Sequence, residues 1–379
     1  MNGLLSRRKA LFGGAAFLGA GMLKGIPATS LTPSINWMYS ALADVARPDY
    51  IIRASSNENP YGPSPTAVRA INDSLVDANK YMNMTADLLS LLSEQEQVAP
   101  ESIAIGSGSG EILKVGGLLA SLQGKSVVCP DPTFGGLISY VEDMGTELIR
   151  VPVNSAMETD LAAIKAAIRP DTGMVYLCNP NNPIPNLIEK NALREFVLEV
   201  SQDRLVFVDE AYHEFVDDPA YESMMDLVRS GHRNIIVSRT ASKIHGLAAL
   251  RVGFAYAHPD LIRDLNQKMT GQLNILGVRA AHASYMDKDF QNYTLMQNRK
   301  SMAIMDAMCD EMGIPYIKSQ ANFTFIHTGR DIGVVSAAMR DAGVLIGRPF
   351  PPFRDWARIS MARPEEMQYV AQVYKGLYG

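Results

Sequence analysis

Cysteine is scarce in this 379-residue chain: Cys129, Cys178 and Cys309 are an odd number with no metal-ligand spacing. That argues against a disulfide framework, and no metal site is expected. Cys129 and Cys178 each close an apolar run and are read as buried thiols. Long basic runs are also lacking and the formal net charge is -5, which argues against a nucleic-acid surface. Beyond the N-terminus no apolar run is long enough for a membrane span, and no fixed-period repeat occurs. What remains is 47% hydrophobic and 20% charged, enough to bury the core of one large domain plus a smaller one. The 20 methionines are read as core fillers.

The N-terminus is a separate object. Ser6-Arg7-Arg8-Lys9 precedes the uncharged, Gly/Ala-rich run Ala10 to Leu23, and Ala41-Leu42-Ala43 has a small-x-small form. This pattern predicts an export signal over residues 1–43 rather than a membrane span. The paired arginines indicate the twin-arginine (Tat) translocase as a partner during export, although Ala10 stands where that pattern prefers Phe. The alternatives are a frayed amphipathic arm or an uncleaved anchor.

From about residue 50, short β-rich apolar runs alternate with helical spacing. Strands are predicted at Ser102–Ile105, Ser126–Cys129, Glu147–Val151, Met174–Cys178, Leu205–Val208, Asn234–Val237 and Val252–Tyr256. Helical spacing marks Glu111–Leu122, Asp160–Ile168, Lys190–Val200 and Asp289–Gly313, with short strands near Asn322–His327 and Arg358–Ser360. The fold class expected is α/β: a large domain over 76–285 with a mostly parallel sheet covered on both faces. A smaller α+β domain follows over 286–379, joined by the arm 44–75. Ligands on such sheets sit at the carboxyl ends of strands.

Most of the chemistry-bearing residues fall at such ends. Gly106-Ser-Gly-Ser-Gly-Glu111, with Ser109 and Gly110, follows a strand and opens a helix, which suits a phosphate or a plain turn. Phe134 can stack on a planar ring or pack in the core. Asn179-Pro-Asn-Asn-Pro183 is a rigid turn whose Asn182 can donate to a phenolate-like oxygen. Asp209 ends the apolar run Leu205–Val208, where an unpaired charge is costly, so it pairs with a ligand cation or a structural one. Tyr212 follows. Lys243, among Thr240, Ser242, His245, Gly246 and Arg251, is an amine beside groups suited to a phosphate. Arg358 begins a late strand, and its planar fork suits a carboxylate.

In this order the residues resemble the class I/II, fold type I aminotransferases that use pyridoxal 5'-phosphate, and specifically the histidinol-phosphate aminotransferase branch. The likeness runs from Ser55-Ser-Asn-Glu-Asn-Pro-Tyr-Gly-Pro-Ser-Pro65 to Arg358-Ile-Ser-Met-Ala-Arg-Pro-Glu-Glu366. It implies Lys243 as the lysine that carries the cofactor, Asp209 as partner of its pyridine nitrogen, and Tyr212 and Asn182 as contacts of its ring oxygen. Ser109, Gly110, Ser242 and Arg251 match phosphate-binding positions, with Phe134 and Thr240 beside them. Tyr81 matches a tyrosine that reaches the neighbouring subunit's phosphate, which implies a homodimer. Asn57, Tyr61, Arg348 and Arg358 match substrate-side positions. Two departures stand out: Pro185 replaces a flexible Gly after the Asn-Pro turn, and Phe134 stands in place of Tyr.

The expectation is a ping-pong transaminase passing an amino group from an amino acid, or an amino-acid-derived or peptide-linked metabolite, to a 2-oxo acid. Export points to the periplasm, and siderophore (pyoverdine) tailoring is one reading of that location. A histidinol-phosphate or aromatic amino acid aminotransferase is the alternative, as is a decarboxylase or lyase on the same scaffold.

Overall fold

A computed structural model describes residues 47–81, 84–122 and 126–379. The export-signal residues, Arg7-Arg8 and Ala41–Ala43 included, lie outside the described residues.

The continuous apolar runs become a seven-stranded sheet. Its strands are β2 (Ile103–Gly106), β3 (Ser126–Asp131), β4 (Leu148–Pro152), β5 (Thr172–Cys178), β6 (Leu205–Asp209), β7 (Ile235–Thr240) and β8 (Gly253–Ala257). Their order is β2-β8-β7-β6-β5-β3-β4. All neighbours run parallel except at β8, which is antiparallel to both β7 and β2. Strands buried on both faces need apolar residues at every position, and alternate residues accordingly serve opposite cores. Val206 and Val208 face one core, with Leu88, Ile164 and Val197 from covering helices. Phe207 faces the other, with Ile112, Leu137 and Leu265. Each such fully buried side chain contributes about 1.5–3 kcal/mol relative to exposure. Helix Ser109–Ser121 lies so close over β6 that a Cβ on Gly116 would come within 2.6 Å of the Phe207 ring. All three cysteines are buried and free.

The expected strands match to within a residue or two at most ends. β7 runs three residues beyond its expected end, because Ser238, Arg239 and Thr240 keep their pairing with β8 despite their polarity. Three short strands carried no apolar pattern long enough to read: β1 (Ile52–Ala54), β9 (Tyr316–Ile317) and β11 (Val344–Ile346). β1 pairs with β11 in parallel, while β10 (Phe323–His327) stands between β9 and β12 (Trp356–Ser360) in an antiparallel sheet. The N-terminal segment is divided between two neighbours. β1 joins the C-terminal strand β11, whereas helix Pro65–Ser74 packs on helix Ile275–Met286. Among the described residues no helix is long and apolar enough to cross a membrane.

Candidate active site

The carboxyl ends of β5, β6 and β7 open onto a cavity of about 360 Å³. β6 delivers Asp209, which is 2% exposed. Ser238 of the neighbouring β7 donates to its Oδ1 at 2.8 Å. Burial is the largest influence on this carboxyl and lifts it to about 6; the hydroxyl, Lys243 and the Ala211 N–H pull the other way without cancelling it. The loop after β7 carries Lys243, whose Nζ donates to Asn57 O at 3.1 Å and lies 5.4 Å from the Tyr212 ring centre. Burial, with Arg358 adding to it, lowers this amine to about 8.

Tyr212 Oη accepts from Asn57 Nδ2 at 2.9 Å and from Asn182 Nδ2 at 3.2 Å. Asn57 takes φ 54°, a left-handed conformation that asparagine tolerates. Its amide is gripped by Ser360, whose Oγ donates to Asn57 Oδ1 at 2.7 Å. Asn182 also accepts from Arg358 Nη1 at 2.8 Å, and Arg358 Nη2 donates to Ser55 O at 2.6 Å. Phe350 has two guanidinium groups near its ring centre, Arg348 at 4.4 Å and Arg358 at 4.8 Å.

The opposite end of the cavity is built for an anion. Helix Ser109–Ser121 begins there, with Ser109 and Gly110 in the lining. Gly108 has φ +82°, and a Cβ on it would fall 2.1 Å from Arg251 Nη2, so glycine leaves room for that guanidinium. Arg251 itself is left-handed, at φ 55°, with Nη1 donating to Ala248 O at 2.8 Å. Thr240 and Ser242 complete this end, the Thr240 hydroxyl 2.9 Å from Ser242 Oγ. Phe134, 40% exposed, lines the side wall rather than the core.

The structure thus gathers Asn57, Ser109, Gly110, Phe134, Asn182 and Asp209 with Tyr212, Thr240, Ser242, Lys243, Arg251, Arg348 and Arg358 around one cavity. Tyr61 and Tyr81 do not line it. Tyr61 turns away to meet Tyr293 edge-on at 5.1 Å, under the Arg363 guanidinium. Tyr81 is fully exposed, beside residues 271–276. Sequence reasoning missed Ser238 as the partner of Asp209, Ser360 as the holder of Asn57, and Phe350. Only Phe350 had a readable signal, as the lone aromatic in Gly347-Arg-Pro-Phe-Pro-Pro352.

These residues fit pyridoxal phosphate. A buried carboxylate with only neutral hydrogen-bond donors wants a cation, and a protonated pyridine nitrogen is one. The helix start, two hydroxyls and Arg251 want a phosphate, and a weakly basic amine stands between the two ends.

The family model "Aminotransferase class I and II" matches residues 50–373. A histidinol-phosphate aminotransferase of Moorella thermoacetica is 36% identical over 303 residues, covering 78% of this chain and 77% of that protein. One from Limosilactobacillus fermentum is 35% identical, covering 83% of this chain and 88% of its own. The crystal structure of histidinol-phosphate aminotransferase from Sinorhizobium meliloti, in complex with pyridoxal-5'-phosphate, superposes with a TM-score of 0.78. It is 26% identical and covers 92% of this chain and 98% of that one.

Proposed function

The chain belongs to the class I and II aminotransferases and is a pyridoxal-phosphate-dependent transaminase, and from that premise we propose how its residues divide the work and what they act on. When bound, the cofactor accepts electron density from the substrate's α-carbon and carries the amino group between donor and acceptor in a ping-pong sequence. Asp209 holds the pyridine nitrogen protonated, and Tyr212 and Asn182 orient the ring oxygen. Ser109, Gly110, Thr240, Ser242 and Arg251 would hold the phosphate, and Phe134 would stand beside the ring. Lys243 would hold the cofactor through its Nζ and would take up and return the proton at the substrate's α-carbon, and burial already lowers this amine toward neutral pH. Arg358 receives the α-carboxylate or its equivalent.

A single observation carries this reading. Lys243 and Asp209 line the same cavity, and burial pushes each of them toward neutrality. Ionisable groups displaced in this way within one cavity cluster at functional sites.

For the substrate we infer an amine that bears an anionic group, with Arg348 and Arg358, both close to the Phe350 ring, as its receptors. The names of the relatives favour a phosphate, as in histidinol phosphate. A carboxylate, as in an aromatic amino acid or a peptide-linked residue, is the second reading. Purified enzyme supplied with pyridoxal phosphate should show a visible band that a true donor abolishes and a 2-oxo acid restores. Histidinol phosphate, aromatic amino acids and a siderophore precursor form the panel. Release of carbon dioxide in place of band loss would favour a decarboxylase.

Export and dimer formation are separate proposals. Export rests on Arg7-Arg8, and replacing both with Lys should strand the enzyme in the cytoplasm. The homodimer reading rests on Tyr81, and a monomer at working concentration in sedimentation would defeat it.

A further inference from the structure

His245 stands two residues beyond Lys243 and is fully buried. Its Nε2 lies 3.1 Å from Glu214 Oε1, its Nδ1 lies 2.9 Å from Ser284 Oγ, and its ring stacks on Tyr285 with centroids 3.9 Å apart. A carboxylate only accepts, so Nε2 donates to it. Glu214 stands two residues beyond Tyr212, and His213 Nε2 lies 3.6 Å from the same carboxylate oxygen. Burial works against the Glu214 charge, but the two imidazoles outweigh it and hold the carboxyl well below its usual range. Serine, imidazole and carboxylate in this order can activate a nucleophile. Ser284, however, is 0% exposed, so no substrate reaches it. The trio has a mechanical job instead.

That job follows from what else holds the loop. Lys243 Nζ donates to Asn57 O, Asn59 Nδ2 donates to Ile244 O at 2.7 Å, and Gly246, at φ +68°, abuts Gly62 so closely that a Cβ would fall 2.1 Å from its carbonyl oxygen. All three ties run to residues 57–62. His245 runs the other way, to the turn that carries Tyr212. We propose that His245 is a positioning residue: through Glu214 it locks the loop of Lys243 to the turn of Tyr212, fixing the reach of the amine relative to the phenol. The proposal rests on the reading that Lys243 is the reacting amine. The charged and titratable groups acting on that amine are Asp209, Arg358, Glu58 and Arg251, with Tyr212 below it.

His245→Phe keeps a ring for Tyr285 and removes both nitrogens, while His213 still faces Glu214. His245→Gln keeps a donor near the Nε2 position. In the cofactor-free protein, amide exchange across 241–247 should quicken about tenfold in His245→Phe as the local tie is lost. In the loaded enzyme, kcat should fall about 10- to 100-fold with the donor KM within about twofold, as expected for a misplaced reacting group. The pH midpoint of the visible band should also move. His245→Gln should restore each readout to within about threefold of wild type, since one donor to Glu214 suffices.

Wild-type exchange, kcat and band midpoint in His245→Phe would overturn the proposal. So would recovery of kcat in His245→Phe/Glu214→Gln, because the defect would then be an unpaired charge and not geometry. If His245→Phe does not fold, His245→Asn, which retains the Ser284 side and loses Glu214, takes its place against His245→Gln. Equal kinetics and exchange in those two would overturn the latch. A Lys243→Ala protein that kept the visible band would defeat the parent reading instead, and the exchange of 241–247 judges the latch in either event.

Discussion

Arg358 reaches Tyr212 through a single amide: Asn182 accepts from Arg358 Nη1 at 2.8 Å with one end and donates to Tyr212 Oη at 3.2 Å with the other. The arginine proposed to read the substrate and the phenol proposed to hold the ring therefore share one positioner. The Asn-Pro turn that supplies it is pinned by Asn179 Oδ1, which accepts from the Ile188 N–H at 3.0 Å.

Removing that amide should act on both sides at once. Asn182→Ala leaves Arg358 Nη1 without its acceptor, and hydrogen bonds to charged groups are worth about 1.5–3 kcal/mol. The donor KM is expected to rise about tenfold or more while the visible band persists. Steady-state kinetics with an unchanged KM would reject this linkage.

The two displaced titrations give the cofactor-free protein a characteristic pH dependence. Lys243, at about 8 against an ordinary 10.5, binds fewer protons folded than unfolded between those values, so stability should climb as pH rises across that window. Its cost is fully present below pH 8. Asp209, at about 6 against 3.8, binds more protons folded, so stability should fall as pH rises from about 4 to 6. At pH 7 both costs are present, and Lys243→Met or Asp209→Asn should each stabilise the cofactor-free protein by about 1–2 kcal/mol, allowing for screening by water in the cavity. Thermal melts across pH 4–10 check the signs. Either variant being less stable than its parent at pH 7 would contradict them. The same changes should abolish or cripple turnover, as expected where function strains stability.

Two glycines should separate holding the cofactor from holding the fold. Gly108→Ala places a side chain at φ +82° and pushes against the Arg251 guanidinium, so it should cost about 1–3 kcal/mol of stability and also weaken binding of pyridoxal phosphate by about tenfold for one displaced charge-assisted contact. Gly246→Ala meets the backbone carbonyl of Gly62 at 2.1 Å, which cannot yield, and at positive φ should cost about 2 kcal/mol or more of stability. Denaturant titration should show both variants destabilised, whereas equilibrium dialysis should show the larger loss of cofactor affinity in Gly108→Ala.

The two arginines near Phe350 should divide the substrate. Arg348→Met is expected to raise KM about tenfold for a donor carrying a phosphate or second carboxylate and to change it less than twofold for a plain amino acid. Arg358→Met should raise KM for both. An equal effect of Arg348→Met on both donors would remove it from substrate recognition.

Much of this was legible in the sequence because parallel strands announce themselves as short apolar runs, and ligand sites lie just past their ends. Asp209, Asn182 and Lys243 were found that way. Direction is not written in such runs: Gly253–Ala257 reads like its neighbours, yet it alone is reversed in the large sheet. Contacts between distant segments were equally silent. Nothing near Asp209 marks Ser238 as its donor, because that bond comes from register across two strands. Tyr61 lies in a motif that suggested a pocket wall, but its ring turns toward Tyr293 of a helix far along the chain.

The reversal of β8 has a consequence for how the molecule is made. β7 and β8 are consecutive and antiparallel, closing at Thr240 opposite Gly253, so the loop bearing Lys243 is a hairpin loop and not a crossover through a helix. Closing so short a segment costs less chain entropy than aligning parallel strands such as β6 and β7, and local pairs form fastest. Lys243 therefore sits in the connection that joins two paired strands of the large sheet over the shortest stretch of chain.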